Sequence, residues 1–183
     1  PAMKAFADEA KRKQLKELRV LDIKGGKTDF GGDVYALIST PRGLLVGSLA
    51  GLRLGSRLIP LRAGEQPLVN ALAYDAKRRC YWIGTEGALY CADLQLRNFS
   101  QIPALNGNSI KCLSTDAAGN LYIGTDNGLY QMALSNAITH YIHDSRDDAS
   151  IPNNIVWACF VDKWQNVWVG TDNGLSRLTT HTY

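Results

Sequence analysis

One hexapeptide, Gly-Thr-Asp-Asn-Gly-Leu, is written twice in this chain, at residues 124–129 and again at 170–175. Each copy follows a short run rich in β-branched and aromatic residues, LYI before the first and VWV before the second. Two further versions lie upstream, CYWIGTEGALY from 80 and the weaker LLVGSLAGLRL from 44. The leading glycines of the four are Gly47, Gly84, Gly124 and Gly170, spaced by 37, 40 and 46 residues. A drifting period around a fixed core is the mark of a repeat architecture whose insertions collect in loops.

Each repeat reads as a β-meander. Upstream of each glycine lies a second aligned piece, DVYALIST, LVNALAYD, NSIKCLSTD and NIVWACFVD, and three of these close on Asp75, Asp116 and Asp162. An aspartate opening a turn bonds its own backbone. This gives strand, turn and strand; the TDNG stretch then forms a hairpin into a third strand. Asn127, Asn173 and the following glycines suit a left-handed turn, whereas Ala50 and Ala88 predict a different turn in the first two copies. Fourth strands are expected near 56–61, 96–102 and 138–144. Small residues Ala36, Ala71, Cys112 and Ala158 share one column, as a crowded inner strand requires.

Four-stranded units of about 40 residues define an all-β fold of propeller blades. The expected architecture is four four-stranded blades, over about 33–67, 68–107, 108–152 and 153–183, within a repeat domain of 19–183. Residues 19–24 would act as a closing outer strand, because the chain stops after the third strand of the last repeat. Residues 1–18 differ: Met3, Phe6, Ala10, Leu15 and Leu18 fall roughly on one stripe of a short amphipathic helix. Pro1-Ala2-Met3 reads as an expression remnant or, with Ala5-Phe6-Ala7, as the end of a secretory signal. The strand count fits a ring closed on its own termini, as an unusual small propeller, or a segment cut from a larger ring. For assembly the choices are the closed monomer or a pair of copies covering each other's end blades. The pair is the favoured expectation.

Composition bounds the function. The formal charge of +3 is local to the first 30 residues and the repeats are neutral, so no nucleic-acid partner is expected. No apolar run is long enough to span a membrane. Four cysteines are too few for a disulfide scaffold. Cys112 and Cys159 are expected as buried thiols, and Cys80 and Cys91 flank one hairpin where a bridge or two free thiols are open readings. His140, His143 and His181 have no metal-ligand spacing, and no hydrolase or nucleotide motif appears. Asp126 and Asp172 are expected to bond backbone in their turns rather than ring a cation. The expectation is therefore no catalytic residue, no metal site and no cofactor, with the ligand-binding residues not identifiable. Trp82, Trp157 and Trp168 are expected in the core, and Trp164 in a turn on the face opposite the TDNG turns. The loop around Arg146, Asp147 and Asp148 is expected beside the TDNG turns.

The stretch HDSRDDASIPNNIVWACFVDKWQNVWVGTDNGLSRL at 143–178 resembles the two-component regulator propeller repeat. The matching positions are the polar loop 144–150, Asn153-Asn154, Asp162, Trp168, Gly170-Thr171 and Gly174-Leu175. Residues 108–132 match well, 68–92 less well and 33–54 poorly. The resemblance implies a periplasmic sensor of a hybrid two-component system, often for glycans, in a propeller usually of seven blades. It implies membrane attachment only through downstream segments. Ligand sensing without catalysis is the leading expectation, a protein-binding scaffold the alternative and a propeller lyase or hydrolase the least favoured.

Overall fold

A computed structural model describes residue 30, residues 32–62 and residues 65–178. Within these residues the chain forms fifteen strands in four antiparallel sheets. The first sheet is β1 (Val34–Thr40), β2 (Gly43–Ser48), β3 (Gly51–Leu54) and β4 (Arg57–Ile59). The second is β5 (Val69–Asp75), β6 (Cys80–Thr85), β7 (Leu89–Ala92) and β8 (Phe99–Gln101). The third is β9 (Ile110–Thr115), β10 (Leu121–Thr125), β11 (Gly128–Met132) and β12 (Ile138–Tyr141). The fourth has three strands among the described residues, β13 (Val156–Val161), β14 (Val167–Thr171) and β15 (Gly174–Leu178). Strands neighbour one another in chain order in every sheet. The helix expected over 2–18 and the closing strand expected over 19–24 lie outside the described residues.

The opening strands β1, β5, β9 and β13 pack side by side in series, which makes them the inner strands around a common axis. Successive sheets enclose three apolar layers. Leu45 and Leu52 meet Val69, Tyr81 and Ile83; Trp82 and Leu89 meet Ile110, Leu121 and Ile123; Tyr122 and Leu129 meet Val156, Val167 and Val169. One joint recurs at each layer. The first residue of an inner strand, Val69, Ile110 or Val156, sits over the glycine of the preceding blade, Gly47, Gly84 or Gly124. A Cβ built on those glycines would stand 2.7, 2.5 and 2.7 Å from the branched side chain above it. The repeated glycine is thus a hole for the next blade's knob.

Turn chemistry explains where each blade bends. Asp75 accepts bonds from the backbone of Lys77 and Arg78, each at 2.9 Å, and from the Trp82 indole at 3.1 Å. Asp116 takes the Asn120 backbone at 2.8 Å and the Tyr122 hydroxyl at 3.1 Å, and Asp162 takes the Asn166 backbone at 2.9 Å and the Trp168 indole at 3.0 Å. Each aspartate therefore caps its turn, as the sequence implies, and also anchors an aromatic of the second strand. At the second turn Gly51, Gly128 and Gly174 adopt positive φ, while Ala88 does not. The expectation that the first two copies turn differently is corrected: only the Ala88 copy departs, because Ala50 precedes a glycine that takes the strained conformation.

Candidate functional site: the axial mouth

Each inner strand carries an irregularity at the same place. Val34 pairs with Ser48 and Ala36 with Gly47, which leaves Tyr35 without a partner. Asn70 is skipped in the same way between Val69 and Ala71, Lys111 between Ile110 and Cys112, and Trp157 between Val156 and Ala158. A bulge adds one residue to a strand and re-aims its side chain. Here all four bulged residues line one cavity of about 330 Å³, together with Leu68 and Glu86. One residue from each blade thus converges on the mouth of the axis.

The mouth has distinct chemistry around its rim. Trp157 is 55% exposed and Tyr35 48% exposed, so two aromatic faces are open to solvent. The Trp157 indole donates to Asp172 Oδ1, and the Lys111 ammonium lies over the indole ring, 5.0 Å from its centroid. These contacts fix the plane of the ring. Among the described residues the Asn70 amide nitrogen is buried without a protein partner, a cost that a bound acceptor would remove. Lys111 and Glu86 place one charge of each sign at the rim.

The expectation that Trp157 packs in the core is corrected by this geometry, since the bulge turns it outward. Trp82 is buried as expected, Trp168 is half-buried against Asp162, and Trp164 is exposed. Asp126 and Asp172 do not close their own turns. The preceding threonines do, through Thr125 Oγ1 to the Gly128 carbonyl at 2.8 Å and Thr171 Oγ1 to the Gly174 carbonyl at 3.1 Å. Asp126 instead accepts from the Ser109 backbone at 2.9 Å, and Asp172 holds Trp157. His140 stacks on Tyr130 with centroids 3.9 Å apart, and its Nε2 bonds the Asn127 carbonyl. His143 Nδ1 bonds the Ile151 carbonyl. The loop near Arg146 is tied to itself through Asp144 and does not line the cavity. All four cysteines are free thiols, and the adjacent Cys91 thiol, with burial, pushes Cys80 up.

The bulged residues were readable in one respect. In the aligned repeats, the columns on either side are uniform, Val/Val/Ile/Val and Ala/Ala/Cys/Ala. Between them stands Tyr/Asn/Lys/Trp. A column that changes chemistry between two that keep it is the signal of side chains freed from packing.

Inner-strand knobs, four-stranded meanders and an axial mouth define a β-propeller domain. The two-component regulator propeller model matches residues 104–127 and 150–173, and the chain carries repeats of this family. Two crystal structures of the extracellular domain of BT4673 from B. thetaiotaomicron are similar to it. The first, described as a one-component system, is 40% identical over 79% of this chain and 21% of its own, with a TM-score of 0.70. The second, described as a hybrid two-component system, is 36% identical over 93% of this chain and 24% of its own, with a TM-score of 0.74. This chain therefore spans less than a quarter of those domains. The WD40 propeller of Doa1 shares the fold, at 14% identity and a TM-score of 0.62. No curated protein matches the sequence.

Proposed function

We propose that this chain is part of an extracytoplasmic sensor domain of a two-component signalling system, and that its axial mouth binds a neutral glycan fragment without transforming it. The observation that carries the reading is the convergence of four bulged side chains on one cavity. Bulges in all four blades spend regular pairing at the same place, which structural repeats alone do not require. An exposed indole held edge-on by a carboxylate suits the apolar face of a sugar ring, and the unpartnered Asn70 amide suits a hydroxyl. Glu86 and Asp172 against Lys111, the single cation there among the described residues, leave the rim without excess positive charge, which disfavours an anionic ligand. The similarity to the extracellular domain of BT4673 supports the location.

The test is calorimetric titration of the protein with a panel of neutral oligosaccharides, followed by recovery of each ligand. One or more should bind, return unchanged, and lose roughly tenfold or more in affinity with Trp157→Ala or Asn70→Ala. A ligand whose affinity survives both substitutions, or one recovered cleaved, contradicts the reading.

A further inference from the structure

At the other end of the inner strands, two joints between blades share a design and differ in one residue. In the second blade Arg78 leaves the first turn, pairs with Asp75 at 2.8 Å, lies over the Trp82 ring and reaches the Gly119 and Ala133 carbonyls of the third blade. Its side chain is 12% exposed and that of Asp75 1%, so the ion pair is packed into the joint. In the first blade Arg42 leaves the same turn and crosses to the second blade, to the Gln95 carbonyl. Thr40 holds the position of the aspartate, and its hydroxyl serves the turn itself, through the Gly43 carbonyl at 2.7 Å and the Arg42 amide at 3.2 Å. Among the described residues no carboxylate pairs with Arg42. Asp93, two residues before Gln95, is taken up by the Arg97 amide and the Asn98 side chain.

Where the second joint holds an ion pair, the first holds a cavity of about 420 Å³. Ser39, Pro41 and Arg42 line it from the first blade, and Tyr74, Tyr81, Leu94 and Gln95 from the second. Tyr74 and Tyr81 are cross-strand partners with ring centroids 5.6 Å apart and planes inclined at 48°. The same pair of positions is Ser39 and Leu44, Thr115 and Leu121, or Val161 and Val167 in the other blades, so the fold does not ask for aromatics there. Tyr74 is 47% exposed, while Tyr81 is held in the core.

We propose that this cavity binds a small aromatic carboxylate, its ring against Tyr74 and Tyr81 and its carboxylate on the Arg42 guanidinium. The ligand thereby takes the role for Arg42 that Asp75 takes for Arg78. The Gln95 carbonyl holds the guanidinium in place through one nitrogen and leaves other N–H groups for an acceptor. Inclined tyrosine rings offer an edge and a face to a third ring, and an apolar cleft with one placed charge is the usual form of a small-molecule site. The two cavities share no lining residue, so this site is separate from the axial mouth.

Calorimetric titration of the full chain with benzoate and phenylacetate, with their neutral amides and with glucuronate tests this. At least one aromatic acid should bind, and its amide should bind roughly tenfold or more weakly, the loss of a charge-assisted bond. Arg42→Gln and Tyr74→Ala should each weaken the acid to a similar degree with unchanged circular dichroism, since both side chains are exposed. Thr40→Asp supplies the missing carboxylate from within the chain and should displace the acid to the same effect. The proposal is overturned if neither acid binds at millimolar concentration, or if the bound acid keeps its affinity in Arg42→Gln or Thr40→Asp. An amide that binds as tightly as its acid, or glucuronate binding in place of the aromatic acids, overturns it as well.

Discussion

Two stretches of this molecule have identical sequence and different surroundings. In the third blade, Gly124-Thr125-Asp126-Asn127-Gly128-Leu129 lies under the fourth blade; Leu129 is 0% exposed and Gly124 is roofed by Val156. In the fourth, Gly170-Thr171-Asp172-Asn173-Gly174-Leu175 has no following blade among the described residues, and Leu175 is 66% exposed. Both copies make the same hairpin, because Thr and Gly close the turn locally. The contrast separates what six residues do by themselves from what a neighbouring blade adds. Local chemistry sets the turn, and burial comes from the next repeat, as in quasi-one-dimensional repeat proteins.

The largest expected difference concerns the leucines. Leu129→Ala removes a buried side chain from the layer with Val156, Val167 and Val169 and should cost roughly 2–5 kcal/mol in chemical denaturation. Leu175→Ala should stay within about 0.5 kcal/mol in the monomer. Equal losses would break the comparison. Next come the glycines. Gly124→Val drives a side chain into Cys112 and Val156 and should cost about 1–3 kcal/mol or more, whereas Gly170→Val should cost less, because among the described residues its Cβ has room. Thermal melting of the two variants checks this, and similar melting points would show that the knob yields.

The aspartates sharpen the comparison in another way. Burial works to raise the pKa of Asp162, but bonds from Trp168, Asn166 and Trp164 outweigh it and hold it at about 2. Asp75 is also lowered, again against burial, by Arg78 and Trp82. Both folded values lie below the unfolded one near 3.9. Their contribution to stability is therefore complete above about pH 4 and is lost as pH falls toward 2. Denaturation midpoints measured between pH 5 and 2 should fall, and Asp75→Asn and Asp162→Asn should each flatten part of that slope. Asp75→Asn should also lower stability more at neutral pH. Its partner Arg78 reaches into the third blade, to the Gly119 carbonyl at 2.7 Å and the Ala133 carbonyl, whereas Asp162, among the described residues, bonds only within its own blade.

Most of the fold was legible because propeller blades are local. The turn aspartates and the small inner column each report a contact within one repeat, the glycine spacing reports a contact with the next repeat, and the strands fall where those signals put them. The mouth was legible only in part. A bulge depends on pairing between Ala158 and Gly170 across the sheet, so the outward aim of Trp157 is not visible in an apolar strand pattern. In the same way, Asp126 and Asp172 sit at equivalent turn positions but bond a backbone amide in one blade and an indole in the other. Which of these occurs depends on whether the facing strand offers Lys111 or Trp157 at its bulge.

Amide hydrogen exchange tests the central claim most directly, because the amides from Thr125 to Leu129 and from Thr171 to Leu175 have nearly the same intrinsic rates. The account predicts that Leu129 and its neighbours exchange more slowly than the Leu175 set, by about tenfold or more, since opening them requires separating two packed blades. Equal protection of the two hexapeptides would contradict it and would mean that the hairpin, and not the following blade, supplies the stability.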